Sequence, residues 1–208
     1  MLDDTNFQSS TYDLKINSLL WNKKIKNEKN YHGYEFNIIP SYFEKIKSKE
    51  INNKIFIFFG GFDNKNYTIK ISNFLSKRKF RDYEFFFENK YQKLIENRNN
   101  FKYYNRSNFF RHFSSAKIII CSGSLIMFDS IFLNKITICK AQYKHQSLNI
   151  KRLIKLRLVK KLYFNYGLKF LDKIMKPKKQ KILTNKGIKF TLNRINNIYI
   201  KAANEHKF

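Results

Sequence analysis

Two small-residue turns carry the residues of this chain whose types and spacing could do chemistry. The first, Gly60-Gly61-Phe62-Asp63, follows the continuous apolar run Ile55-Phe56-Ile57-Phe58-Phe59. The second, Cys121-Ser122-Gly123-Ser124, follows the β-branched run Ile118-Ile119-Ile120 and precedes a segment of helical period from Leu125 to Leu133. A glycine at the carboxyl end of a strand lets the backbone approach a phosphate or a sugar. The N–H groups that open the next helix attract anions. A single glycine is a weak signal, and most such turns are merely connections in an α/β domain. Cys121 and Cys139 fall on consecutive predicted strands without metal-ligand spacing, so they read as reduced core thiols.

The elements that must position these turns are read from apolar periodicity. The run at Ile55 to Phe59 predicts a central parallel strand covered on both faces. Asn64 or Asn66 can cap the helix after it, whose apolar residues are Ile69, Ile71, Phe74 and Leu75. Tyr83 to Phe87 and Phe101 to Tyr104 read as strands, with a helix at Tyr91 to Asn97 between them. Ser107 to Ser114 reads as a short helix leading into the strand at Ile118, and Ile136 to Cys139 as the strand after the second turn. A basic amphipathic helix then carries Leu148, Ile150, Leu153, Ile154 and Leu158. Leu162 to Phe164 suggests a brief edge strand, and helices at Leu168 to Met175 and Ile188 to Ala203 close the chain. Strands alternating with helices predict a doubly wound parallel α/β sheet, with ligands beyond the carboxyl ends of its strands.

The chain has 42 Lys and Arg against 15 Asp and Glu, a formal charge of +27. Such a balance ordinarily points to a polyanionic partner such as RNA. A coding bias toward Lys, Asn, Ile, Phe and Tyr explains it as well, because the basic residues are spread along the chain. A basic RNA-associated or organellar ribosomal protein is the rival class, with 22 Phe and 13 Tyr available for stacking on bases. Most of those aromatics fall in apolar strand runs. No apolar run reaches the ~20 residues of a membrane span, and Met1-Leu2-Asp3-Asp4 is unlike a signal peptide, so a cytoplasmic location is expected.

Tyr12 to Asn17 reads as a strand-like piece with nothing before it to supply a neighbour, so the start reads as truncated. Gly33 and Pro40 bracket Phe36-Asn37-Ile38-Ile39, which suits a short strand or linker. Phe43 to Asn53 is charged and polar, which sets an expected boundary between residues 1–53 and a domain of residues 54–208.

The order of these features resembles the carboxyl-terminal lobe of the nucleotide-sugar hydrolase of pseudaminic acid synthesis, which cleaves UDP from UDP-2,4-diacetamido-2,4,6-trideoxy-β-L-altropyranose. Met1-Leu2-Asp3-Asp4 resembles that family's strand ending in paired aspartates, and Asp13 to Asn17 its next strand. Gly33 to Phe43 resembles its linker, and Phe59 to Asn64 its glycine-glycine-x-aspartate loop. Lys144-His145-Gln146 stands where the family has Glu-Asn-Gln. Asn185-Lys186-Gly187 with Arg194-Ile195 resembles its closing helix. The resemblance implies a Rossmann-like lobe, the second of a GT-B fold, that binds a UDP-sugar without a cofactor or metal. It implies binding residues at Gly60, Gly61, Asp63, Ser122, Gly123, Ser124, Asp129, His145 and Gln146. Asp129 matches the ribose-binding glutamate, one methylene shorter. The family's Gly-Gly-Ser-Thr loop appears as Gly123-Ser124-Leu125-Ile126, and Lys117 stands where an aspartate is usual. The family's catalytic histidine lies in its first lobe, and none of His32, His112, His145 and His206 matches it. Residues 1–53 then correspond to a remnant of the first lobe plus linker. The expectation is a lobe that binds a UDP-sugar, is inactive by itself, and has a separately encoded first lobe as a possible partner.

Overall fold

The computed structural model describes residues 15–17, 30–32, 36–39, 43, 50–77, 80, 82–163 and 189–197. The chain divides into two compact units, Met1–Glu44 with Ile182–Phe208, and Lys45–Lys181.

In the first unit, β1 (Lys15–Asn17) pairs in parallel with β2 (Asn30–His32), Ile16 opposite Tyr31. Residues 189–197 are helical. Ile16 and Phe36 are buried and pack with Phe190, whose ring centroid lies 5.0 Å from that of Phe36. The strand lies at Asn30–His32, ahead of Phe36 to Ile39, where residues 37–39 have no regular structure and so suit the linker instead of the strand. Predicted helical residues 168–175 lie outside the described residues.

In the second unit β3 (Ile51–Phe58), β4 (Glu84–Glu88), β5 (Phe101–Tyr104), β6 (Ala116–Cys121), β7 (Ile136–Cys139) and β8 (Lys160–Lys161) form one sheet in the order β5-β4-β3-β6-β7-β8. Every neighbouring pair is parallel. This is the doubly wound, Rossmann-like α/β architecture expected from the alternation of elements. Numbered from β3, its strands run 3-2-1-4-5-6, so the winding reverses between β3 and β6.

Four helices connect the strands: α1 (Tyr67–Ser76), α2 (Phe109–Ser115), α3 (Leu125–Phe132) and α4 (Lys144–Lys155). Ile55, Ile57, Ile118, Ile120, Ile136 and Ile138 share one face of the sheet with Ile71 and Leu75 of α1. Alternate residues serve the other face. Phe56, Ile119 and Thr137 are in register there. Phe56 stacks on Tyr104 at 4.3 Å and meets Phe109 and Phe113 of α2 edge-on at 5.2 and 5.7 Å. Ser130 of α3 hydrogen-bonds Thr137 at 2.7 Å. Burial on both faces explains why these strands are unbroken apolar runs, each fully buried Ile or Phe contributing about 1.5–3 kcal/mol.

Three elements differ from the sequence expectation. The strand around Ile55 begins at Ile51, because Ile51 pairs with Ala116 across a register shift. The expected helix at 91–97 is a single 3₁₀ turn at Asn89–Tyr91 followed by turns. Tyr91 and Ile95 still reach the core, so their apolar spacing needed no helix. The edge strand lies at Lys160–Lys161, just ahead of Leu162, which is buried at the end of the sheet.

Candidate functional site

The site is built where the sheet's winding reverses. Phe58 and Cys121 are register partners, so the turns that leave β3 and β6 emerge side by side at the carboxyl edge. In the first turn Gly60 has φ +96°, a conformation that side-chain-bearing residues rarely adopt, and a Cβ there would meet open space. Gly61 is likewise open, and its carbonyl accepts a hydrogen bond from Lys90 at 2.9 Å. Phe62 projects into solvent with 84 % of its surface exposed.

Asp63 fixes the far end of this turn. Its two carboxylate oxygens accept the backbone N–H groups of Tyr67 and Thr68 at 3.0 and 2.7 Å, so Asp63 does the capping expected of Asn64 or Asn66. Asn66, at the N-cap position, is left-handed at φ 51° and makes no side-chain cap. Both oxygens of Asp63 are therefore engaged within the protein, and its effect on a ligand passes through the shape of the turn. Asp63→Ala is expected to lower stability by about 1–2 kcal/mol, the range for a lost helix cap, as read from the urea midpoint.

The second turn is closed by a hydrogen bond between the Ser122 and Ser124 hydroxyls at 2.8 Å. Ser124 stands at the N-cap of α3 with no side-chain cap, which leaves the opening of that helix to present its N–H groups and positive dipole end. Gly123 is buried and serves a purpose not apparent in the sequence. A Cβ on it would lie 2.9 Å from the Gln146 carbonyl oxygen and 3.0 Å from Ile150 Cδ1. The space kept free at Gly123 is thus filled by α4 instead of standing open to a diphosphate.

The first turn of α4 brings the remaining residues to the same edge. Gln146 is buried, and its side-chain oxygen accepts the Gln142 N–H at 2.9 Å. The Gln142 side chain then donates to the Phe59 carbonyl at 2.5 Å, spanning from the β7 loop to the end of β3. Asn64 donates to the Tyr143 hydroxyl, and the Tyr67 hydroxyl donates to the Ala141 carbonyl at 3.1 Å. His145 stacks on Tyr143, rings 5.6 Å apart and 9° from parallel. The loops after β3 and β7 are thereby held as one rim. Gln142, Tyr143 and Tyr67 were not singled out in the sequence, and Asn64 was read there only as a helix cap. The four-residue spacing of Gln142 and Gln146 was the only local hint.

Asp129 lies on α3, one helical turn beyond Leu125. Its carboxylate is half-buried, and burial pushes its pKa up to about 7. Among the described residues nothing hydrogen-bonds or ion-pairs with that half-buried carboxylate.

A second perturbed cluster has a different meaning. Lys54, 3 % exposed near the amino end of β3, donates to Ser115 Oγ at 2.7 Å, contacts His112 Nδ1 at 2.8 Å and lies 4.2 Å over the Phe86 ring. Burial lowers Lys54 to about 8, and burial together with Lys54 and Arg111 lowers His112 to about 4. This network belongs to the opposite end of β3 from the glycine turns and satisfies a buried amine. Cys121 and Cys139 are register partners with sulfurs 3.8 Å apart, free and buried as expected. Among the described residues no group of three His, Cys, Asp or Glu could hold a metal ion, and no helix is long and apolar enough to cross a membrane.

No family model and no curated protein matches the chain. Solved structures do. The glycotransferase of kitacinnamycin matches with a TM-score of 0.54 at 11% identity, over 74% of this chain and 43% of that one. The glycosyltransferase SnogD from Streptomyces nogalater matches at 0.53 and 12% identity, over 78% and 48%. The spinosyn rhamnosyltransferase SpnG complexed with spinosyn aglycone matches at 0.51 and 12% identity, over 79% and 47%. At these identities the likeness is one of fold: the chain shares with those proteins the Rossmann-like α/β lobe of a GT-B fold. It spans less than half the length of those proteins.

Proposed function

We propose that this chain supplies the nucleotide-sugar-binding lobe of a GT-B-type protein, with a UDP-sugar as ligand. The observation that carries the reading is the meeting of both small-residue turns at the reversal between β3 and β6, beside the opening of α3 and the unpartnered carboxylate of Asp129. In an open α/β sheet that crevice is where nucleotides bind. The N–H groups around Gly60, Gly61 and Ser124 face the diphosphate, Asp129 accepts hydrogen bonds from the ribose hydroxyls, and His145 with Gln146 stands toward the sugar. Ser122 and Gly123 act by placing Ser124 and α4, and Asp63 by holding the Gly60-Gly61 turn.

The specific reading is the hydrolase of pseudaminic acid synthesis, acting in the cytoplasm. Residues 54–208 are its nucleotide-sugar lobe and residues 1–53 the end of a first lobe plus linker. Hydrolysis needs a general base set on water. Among the described residues His112 is bound to Lys54 at the other end of β3, and Asp129 is assigned to the ribose in this reading, so the base is expected from the first lobe. The partner it calls for is a first lobe that closes the cleft. The RNA reading finds less support, because Phe56, Phe59, Phe85, Phe87, Tyr104 and Phe113 are core residues and cannot stack on bases.

Calorimetric titration with UDP, alongside an assay for UDP released from a UDP-sugar, tests this proposal. Weak binding without release is expected, because half of the cleft's contacts are missing. Turnover by the purified chain would place the catalytic base within it. Absence of UDP binding would remove the nucleotide-sugar reading.

A further inference from the structure

We propose that the outward face of α4, with Leu156 and Arg157 at its end, docks on an anionic membrane surface, its cations against acidic lipid headgroups and its leucines at the boundary beneath them. This face is separate from the glycine turns and stands whether or not they take a nucleotide. At about 100° per residue, Gln146, Asn149, Ile150 and Leu153 turn to one side of α4, and these are its buried residues. Lys144, Leu148, Lys151 and Lys155 fall within about 60° of one another on the opposite side, and all four are exposed. They make a stripe about 16 Å long, extended by Leu156 and Arg157, which are exposed as well. The edge strand β8 packs against α4 and adds exposed Lys160 and Lys161, the latter 4.9 Å from the centroid of the Tyr163 ring.

Two features separate this stripe from the solvated basic face that any surface helix of a +27 chain could show. The first is apolar. Leu148 and Leu156 keep 39 % and 43 % of their surface exposed among the cations. Aliphatic side chains between lysines suit the headgroup–acyl boundary of a bilayer, whereas a single-stranded nucleic acid offers phosphates and base faces, which call for cations and aromatic rings. Lysine fits the same boundary, because its stem lies along apolar surface while its ammonium reaches a phosphate. The second feature is conformational. Among the described residues three besides glycine have positive φ, namely Asn66, Asn134 and Arg157. Asparagine tolerates that conformation, and arginine at φ 60° adopts it rarely. The Arg157 N–H bonds the Ile154 carbonyl and the Leu158 N–H the Leu153 carbonyl, both at 2.9 Å, which is the helix ending that favours glycine. A long cation thus stands at the end of the stripe, beside an exposed leucine, where the backbone favours no side chain at all. A contact outside the fold accounts for it.

Flotation with vesicles of phosphatidylcholine, either alone or with roughly 30 % phosphatidylglycerol, tests this at about 150 mM salt. The parent is expected to float with the anionic vesicles only. Lys151→Gln/Lys155→Gln should lose roughly tenfold or more in affinity, against less than about threefold for Lys93→Gln/Lys102→Gln, an equal loss of charge at exposed positions elsewhere. Leu148→Ser/Leu156→Ser leaves the charge unchanged and should still lose about fivefold or more. Arg157→Gly should bind the vesicles roughly threefold to fivefold more weakly while melting at or above the parent temperature, so its loss cannot come from unfolding. Equal losses in the two lysine variants, or full binding by the leucine variant, would show diffuse charge only and overturn the proposal. A parent that ignores anionic vesicles would overturn it as well. Binding of a mixed RNA that falls in Lys151→Gln/Lys155→Gln while vesicle binding does not would overturn it in favour of nucleic acid. None of these substitutions lies in the glycine turns, so vesicle binding and UDP binding fail separately.

Discussion

Gly123→Val is expected to cost the lobe about 3 kcal/mol or more, enough to make the protein poorly soluble or unfolded at growth temperature. The added Cβ alone would stand 2.9 Å from the backbone oxygen of Gln146, which cannot swing aside as the end of a side chain can. Gly123→Ala meets the same oxygen and should show most of the loss, with valine adding crowding against Ile150. Gly61→Ala is the control. It enters open space without a backbone penalty and should stay within about 0.5 kcal/mol of the parent. Gly60→Ala falls between them, losing about 1 kcal/mol because its φ of +96° disfavours a side chain even though there is room for one. Urea denaturation of the four variants gives the ordering. If Gly123→Val kept the parental midpoint and lost only UDP binding, the glycine would be serving the ligand instead of α4.

Asp129 should show the second large effect, with opposite signs for stability and for binding. Asp129→Ala is expected to weaken UDP by about 1.5–3 kcal/mol, or roughly 10- to 150-fold, the range for a hydrogen bond to a charged group. The same carboxylate burdens the empty lobe. Its pKa is raised from 3.8 to about 7 on folding, so the folded state binds the proton more tightly than the unfolded state does. The stability this contributes is fully present below the unfolded value and is lost as pH rises through about 7. Asp129→Asn should therefore raise the melting temperature most at pH 8, less at pH 5, and change it little below about pH 3.8. UDP affinity of the parent should climb between pH 6 and 8 as the carboxylate ionises, and in Asp129→Asn that climb should disappear. Equal UDP affinity in parent and Asp129→Ala across this range would remove Asp129 from the site.

The sheet was legible because both of its faces are covered. That arrangement demands unbroken apolar runs, and Ile55 to Phe59, Ile118 to Ile120 and Ile136 to Cys139 supply them. Positions of the glycine turns followed directly, since they are the first small residues after those runs. The order of the strands did not follow. That β3 and β6 are neighbours depends on the crossover through α2, and α2 is held by Phe109 and Phe113 against Phe56, contacts between residues more than fifty positions apart. Long-range contacts also hid why individual site residues are what they are. Gly123 answers to Gln146, Asp63 to the amides of α1, and Gln142 to the Phe59 carbonyl. The helix expected at Tyr91 was misjudged because Tyr91 and Ile95 are spaced as in a helix yet reach the core from a 3₁₀ turn and the loop after it.

The central claim, that the crevice between β3 and β6 receives a nucleotide diphosphate, is tested most directly by following backbone amide resonances of the labelled protein during a UDP titration. The account predicts that Gly60, Gly61, Ser124 and Leu125 shift together and saturate with one dissociation constant, while the amides of Lys54, His112 and Ser115 at the other end of the sheet stay in place. Shifts scattered over the basic surface and abolished by moderate salt, with those four amides unmoved, would contradict it.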